Sequence, residues 1–299
     1  DPKLFTKEIL FKYFENKVNL IPISYKFKNR QPKKIHKFFN LKKSIIGETP
    51  NSKIKKISNF LNEKKIDYLY VSASENVNWL LNIRGKDLPN SPLGNCKLII
   101  SKKGKLYFFG NLFKSAILKN IKFSNFKLLN EKSFFKTIIN LKIGIFCIDK
   151  NSCSIFELQV LKSRFKIIKY IDPIYHLKSI KNKTEIANIK KAHVIDGVAL
   201  TKFLIWLKNN YNKKKITEIS AQEKLLKFRK KNKQFKFLSF PTISGTGPNS
   251  SIIHYKASKK SNRILKKGDL YLVDSGGQYN FGTTDVTRTL SLENGKKRI

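Results

Sequence analysis

The stretch LYLVDSGGQYNFGTTDVTRTL, residues 270–290, decides the fold. An apolar run ends on Asp274, a glycine-bearing segment follows (Ser275 to Gly282), and TTDVTRTL resumes a strand pattern containing Asp285. The two aspartates stand eleven residues apart, so their midpoint falls between Tyr279 and Asn280, where a tight turn is expected. An antiparallel hairpin centred there sets the carboxylates opposite each other on one face of a sheet. Two such carboxylates repel strongly in a poorly solvated site unless a cation lies between them. One or two divalent ions remove the conflict, and oxygen ligands suit hard ions such as Mn²⁺, with Zn²⁺ and Co²⁺ as alternatives. The competing reading is a pair of turn or capping aspartates beside glycine, which the flanking apolar strands weaken. Gly276 and Gly277 suggest a β-bulge next to Asp274.

The distribution of lysine supports this reading. The 299-residue chain carries a formal charge of +42, with 62 basic and 20 acidic residues. Only seven of the basic residues are Arg, and the lysines run from end to end beside abundant Ile, Asn and Phe. Nucleic-acid readers favour the planar fork of Arg, so the charge reads as compositional bias rather than as a nucleic-acid interface. Against that background Lys is absent from Gly268 to Glu293, and Phe237 to Tyr255 holds no charged side chain. Ile66 to Cys96, broken only by Lys86, forms a third gap. Burial excludes lysine, but burial alone does not explain why Asp274 and Asp285 stay where lysine cannot.

Outward from the hairpin, the pattern predicts a short helix opened by Thr6 and a strand at 18–24, then a basic connecting stretch to residue 50. Residues 51–175 alternate helical and strand segments, the signature of an α/β domain. A long amphipathic helix is predicted from Thr184 to about Asn210, with Ile186, Ile189, Ala192, Val194, Ala199, Phe203 and Trp206 on its apolar stripe, and a second opens at Thr217. Gly245, Gly247, Pro248 and Asn249 form a turn ahead of SIIHY, read as a strand ending in His254. His36, His176 and His193 read as structural or solvent-facing. Cys96, Cys147 and Cys153 are too few for a disulfide framework and read as free thiols of a reducing compartment, hence the cytoplasm. No apolar stretch is long enough to span a membrane. The chain has no Met, even at position 1, and is expected to lack its natural start.

Three stretches, SFPTISGTGPNSSIIHY (239–255), NRILKKGDLYLVDSGGQY (262–279) and GTTDVTRT (282–289), resemble the Xaa-Pro aminopeptidases, metallopeptidases of the pita-bread, creatinase-like family. NWLLNIRGKDLPNSPL (78–93) and KNKTEIANIKKAHVIDGVALTKFLIWL (181–207) extend the resemblance over most of the chain. It implies residues 1–45 as the remnant of a first creatinase-like domain with its linker, 46–178 as a second creatinase-like α/β domain, and 179–299 as the N-terminal part of an incomplete pita-bread domain.

The family's five metal ligands are two Asp, one His and two Glu. Asp274 and Asp285 match the aspartates, His254 matches a histidine that contacts substrate, and the other His and both Glu are expected beyond Ile299. The resemblance thus implies hydrolysis of the bond between an N-terminal residue and a penultimate proline, with two divalent ions, Mn²⁺ first among them. Peptides beginning Xaa-Pro are the implied partners, with no nucleic acid or membrane, and a homodimer is left open. The 299 residues alone are expected to be inactive. A prolidase-like dipeptidase, a metal-free pita-bread binding protein and a basic nucleic-acid module are the rival readings. Ser250 and Ser251 replace a Gly-Ala usual in the family, and Thr184 stands where Pro is common.

Overall fold

Thr6, Thr49, Ser154, Asp172 and Thr217 each start a helix by accepting a backbone N–H with the side chain. Those capped helices and the strands between them make up the computed structural model, which describes residues 1–15, 17–18, 21–23, 36–120, 123 and 125–293. The chain divides into two compact units, one of Asp1–Leu88 with Pro92–Asn182, the other of Pro89–Ser91 with Lys183–Ile299.

The first unit runs α1 (Lys7–Phe14), β1 (Phe39–Asn40), α2 (Lys43–Ile46), α3 (Pro50–Glu63), β2 (Tyr68–Val71), α4 (Ser74–Leu80), β3 (Ile83–Arg84), β4 (Cys96–Ser101) and β5 (Leu106–Gly110). It continues through β6 (Phe126–Leu129), α5 (Phe134–Ile139), β7 (Ile145–Ile148), α6 (Ile155–Lys162), β8 (Lys166–Lys169) and α7 (Pro173–Ser179). Six of the strands form one mixed sheet in the order β6-β5-β4-β2-β7-β8. Successive side chains alternate between its faces. Leu69, Val71, Leu98, Ile100 and Phe108 therefore pack with Ile57 and Leu61 of α3 and Val77 and Leu80 of α4. Tyr70, Ile99, Phe109, Phe146 and Ile148 pack on the other side with Phe134 and Ile138 of α5 and Leu158 and Leu161 of α6. The hairpin between β4 and β5 turns at Gly104, whose φ of 76° suits glycine. The three cysteines are free and buried, and burial pushes the Cys147 and Cys153 thiols up to about 12. The strand expected at 18–24 is not formed at 21–23, and its residues 19, 20 and 24 lie outside the described residues.

The second unit comprises α8 (Lys183–Asn210), α9 (Glu218–Lys230), β9 (Phe235–Leu238), β10 (Ile243–Thr246), β11 (Leu270–Ser275), β12 (Gly277–Tyr279) and β13 (Val286–Ser291). β10, β11 and β13 form an antiparallel sheet with β11 central, and β12 pairs with β9. Tyr271 and Val273 of β11 join Leu200, Phe203 and Leu207 of α8 and Ala221 and Leu225 of α9 in one core. The expected stripe on α8 holds at Ala192, Ala199 and Phe203, which are buried, but not at Ile186 and Val194, which are exposed, and it includes the fully buried Asp196. A 3₁₀ turn at Gly247–Ser251 follows β10, so SIIHY is not a strand. Ile252, Ile253 and His254 are exposed in a turn, and burial on a pleated face, which a strand there would need, is missing.

Candidate functional site

Asp274 lies at the inner end of the central strand β11, where its neighbours in register are Ile243 on β10 and Thr287 on β13. The odd residues Tyr271, Val273 and Ser275 are buried against the helices, so Leu270, Leu272 and Asp274 occupy the other face. Asp285 stands two residues before Thr287, immediately ahead of β13. By alternation it belongs to the face that carries Thr287 and Asp274. The carboxylates are therefore on adjacent antiparallel segments and on one face, but diagonal rather than directly opposed as expected. The turn is centred one residue later than symmetry about the aspartates requires: Gln278 bridges to Thr283, the Thr284 N–H donates to the Gly277 carbonyl, and the Gly277 N–H donates to Thr284 Oγ1.

The irregularity expected beside Asp274 sits elsewhere too, between Gln278 and Tyr279, where the register of β12 on β9 shifts. Gly276 has a different reason to be glycine. A Cβ there would lie 1.9 Å from the Thr284 carbonyl oxygen and 2.3 Å from Ser239 Oγ, closer than any side chain tolerates.

Behind the hairpin is a buried ion pair that sequence reasoning missed. Arg229 of α9 donates to both carboxylate oxygens of Asp196 on α8, at 2.7 and 2.9 Å, and to Ser275 Oγ at 3.1 Å. Tyr279 Oη donates to the same Asp196 at 2.6 Å. Burial by itself would raise the Asp196 carboxyl, but the hydrogen bond and charge of Arg229 outweigh it and hold that group below its usual range. Burial, then the bond to Asp196, push the Tyr279 hydroxyl well above its ordinary value. The network ties Ser275, the residue next to Asp274, and Tyr279 of β12 to both helices.

Asp274 itself is unlike these neighbours. Its Oδ1 is buried and has no hydrogen-bond partner among the described residues. Burial without a partner costs a polar oxygen about 1–3 kcal/mol, more when charged. Asp285 is exposed. A buried acceptor with no donor among the described residues, on the face to which alternation also assigns Asp285, fits an oxygen donor set for a hard cation. Among the described residues no group of three or more His, Cys, Asp or Glu converges on one point. His254 is exposed, with a left-handed backbone at φ 54°, directly after the 3₁₀ turn that packs on β11. His176 and His193 are exposed and His36 is half-buried.

Residues 29–185, more than half of the chain, match the creatinase/prolidase N-terminal domain. The chain belongs to the creatinase/prolidase family. Residues 187–299 match metallopeptidase family M24, so a creatinase-like N-terminal domain precedes a pita-bread M24 domain. Among curated relatives, the chain is 35% identical over 269 residues to the Xaa-Pro aminopeptidase ApepP of Drosophila melanogaster, covering 88% of this chain and 44% of that protein. It is 34% identical over 297 residues to Xaa-Pro aminopeptidase 1 of Dictyostelium discoideum, covering 95% and 46%. The family member thus spans about half the length of these relatives. Among solved structures, X-prolyl aminopeptidase of Caenorhabditis elegans, described as a cytosolic enzyme with a di-nuclear active site, superimposes with a TM-score of 0.86 at 26% identity, over 99% of this chain and 51% of that one. The Xaa-Pro dipeptidase of Bacillus anthracis shares the fold, with a TM-score of 0.66 at 18% identity over 83% and 66%. No described helix is long and apolar enough to cross a membrane.

Proposed function

We propose that the protein to which this chain belongs is a metal-dependent Xaa-Pro aminopeptidase, releasing an N-terminal residue that precedes proline. One observation carries the reading: Asp274 has a buried carboxylate oxygen that nothing among the described residues satisfies, on the sheet face to which strand alternation also assigns Asp285. Asp274 and Asp285 would hold two divalent ions, Mn²⁺ for preference, with further ligands from elsewhere in the protein. When bound, such ions supply Lewis acidity and lower the pKa of water. The chain's own groups orient the peptide. His254, at an exposed tip, would donate a hydrogen bond to the carbonyl oxygen of the first substrate residue as charge develops there. Proline at position two has no N–H and a fixed φ, which makes it selectable by a pocket shaped to its ring. The similarity to aminopeptidases at 34–35% identity supports this substrate class, and the cytosolic nematode enzyme supports the cytoplasm as its location.

The test uses protein of the relatives' length with Mn²⁺, offered a peptide Xaa-Pro-Xaa, the dipeptide Xaa-Pro and a control lacking proline. Mass spectrometry should show release of the first residue from the Xaa-Pro-Xaa peptide, and none from the control. Cleavage of the dipeptide alone would make the protein a prolidase. Failure to cleave any of the three would leave a metal-free binding role.

A further inference from the structure

Glu218 opens α9 with its carboxylate fully buried, and among the described residues no ion pair reaches it. Its partners are neutral donors from one excursion of the chain. It accepts from the Thr246 N–H at 2.9 Å, Asn249 Nδ2 at 3.0 Å, Tyr255 Oη at 2.8 Å and the Arg263 N–H at 3.0 Å. Its backbone adds two more ties, accepting from Ser244 Oγ at 2.8 Å and donating to the Arg263 carbonyl at 3.0 Å. One residue therefore grips the segment 244–263 at its start, its middle and its end. Asn249 Nδ2 also donates to Tyr255 Oη at 2.8 Å, closing the loop on itself.

What the grip leaves outside is the run between Asn249 and Tyr255, with Ile253 85% exposed and His254 next to it. His254 takes a left-handed backbone conformation that a non-glycine residue adopts only when its surroundings impose it. Tyr255, the very next residue, is 7% exposed and anchored on Glu218. Charge-assisted bonds to a desolvated carboxylate are stronger than neutral ones, so this anchor is stiff where the tip is open. We infer that Glu218 is a positioning residue that presents His254 to the substrate, acting through Asn249 and Tyr255. The inference rests on the substrate-contact role proposed for His254 and adds a residue on which that contact depends.

The experiment is a double-mutant cycle in Mn²⁺-loaded protein of the relatives' length, comparing wild type, Glu218→Gln, His254→Ala and the combination. Gln keeps the shape and removes the charge. If Glu218 acts through His254, Glu218→Gln lowers kcat on an Xaa-Pro peptide roughly 10- to 100-fold, as loss of a transition-state contact does, with KM and bound metal nearly unchanged. The combined variant is then no slower than His254→Ala alone. Amide exchange across 249–255 should quicken in Glu218→Gln while β11 and β13 stay protected. Tyr255→Phe, which deletes one bond to Glu218, should give a smaller fall of the same kind and stands in should Glu218→Gln not fold. Multiplying effects in the combined variant, or unchanged exchange at 249–255, overturn the inference. A wild type that cleaves no Xaa-Pro peptide refutes the proposed function instead, and the inference with it; where the wild type is active, unchanged exchange in Glu218→Gln refutes the inference alone.

Discussion

A single oxygen carries most of the functional argument. Asp274 Oδ1 is buried and unpartnered in a strand whose other buried groups are satisfied or apolar. Because the oxygen weakens the metal-free protein, replacing it should not harm folding. Asp274→Ala is expected to leave the melting temperature without metal unchanged or slightly higher, and to remove the rise that Mn²⁺ gives the wild type through preferential binding to the folded state. Differential scanning calorimetry with and without Mn²⁺ reads both; a variant several degrees less stable without metal would assign Asp274 a structural role.

Asp172, N-cap of α7, makes a separate prediction. Burial raises its carboxyl to about 6, against the bonds from Asn76 and the Ile174 N–H. An acid with a raised folded pKa binds its proton more tightly folded than unfolded. Its contribution is therefore present at low pH and lost as pH rises from about 4, the unfolded value, to about 6. The stability difference between wild type and Asp172→Asn, followed by urea melts over that range, should move against the wild type by about 2–3 kcal/mol. A flat difference would show that Asp172 titrates normally.

Asp274, Asp285 and His254 were singled out because their neighbourhood excludes lysine in a lysine-rich chain. Glu218 was not: an acidic residue in a helix's first turn is ordinary complement to the helix dipole. What buries it arrives from a loop that begins 28 residues later.

At the scale of elements, the helices were read well and the hairpin in part. Capping threonines mark α1 and α9, and alternation marks the strands of the six-stranded sheet. The hairpin's register was missed by one residue at its centre, since β12 leaves β11 to pair with β9 and the turn follows that pairing rather than the symmetry of the aspartates. The stripe of α8 was read correctly at Ala192, Ala199 and Phe203 but missed a buried charge, Asp196, which Arg229 and Tyr279, far along the chain, satisfy. SIIHY reads as a strand by composition, but its isoleucines point to solvent.

Two expectations follow at this scale. Gly276→Ala forces a methyl group onto the Thr284 carbonyl, and overpacking of this kind costs about 1–3 kcal/mol or more. A denaturant midpoint equal to that of wild type would contradict the contact. Arg229→Met leaves Asp196 buried without its cation, which should cost about 3–5 kcal/mol by the same measurement. A change below about 1 kcal/mol would mean that Tyr279 alone suffices to satisfy the carboxylate.

For the molecule as a whole, the α/β class and the succession of a creatinase-like domain and a pita-bread domain were readable from periodicity and a fifty-residue resemblance. The +42 charge is carried by lysines spread along the chain without a companion excess of Arg. The account's central claim is that Asp274 and Asp285 are metal ligands of an Xaa-Pro aminopeptidase. Its most direct test is the rate at which protein of the relatives' length, with Mn²⁺, releases the first residue of an Xaa-Pro peptide, measured for wild type, Asp274→Ala and Asp285→Ala alongside bound manganese. The account predicts cleavage by the wild type, and in each variant loss of bound metal with a fall in rate of at least about a thousandfold. Variants that keep both the metal and the wild-type rate would contradict it.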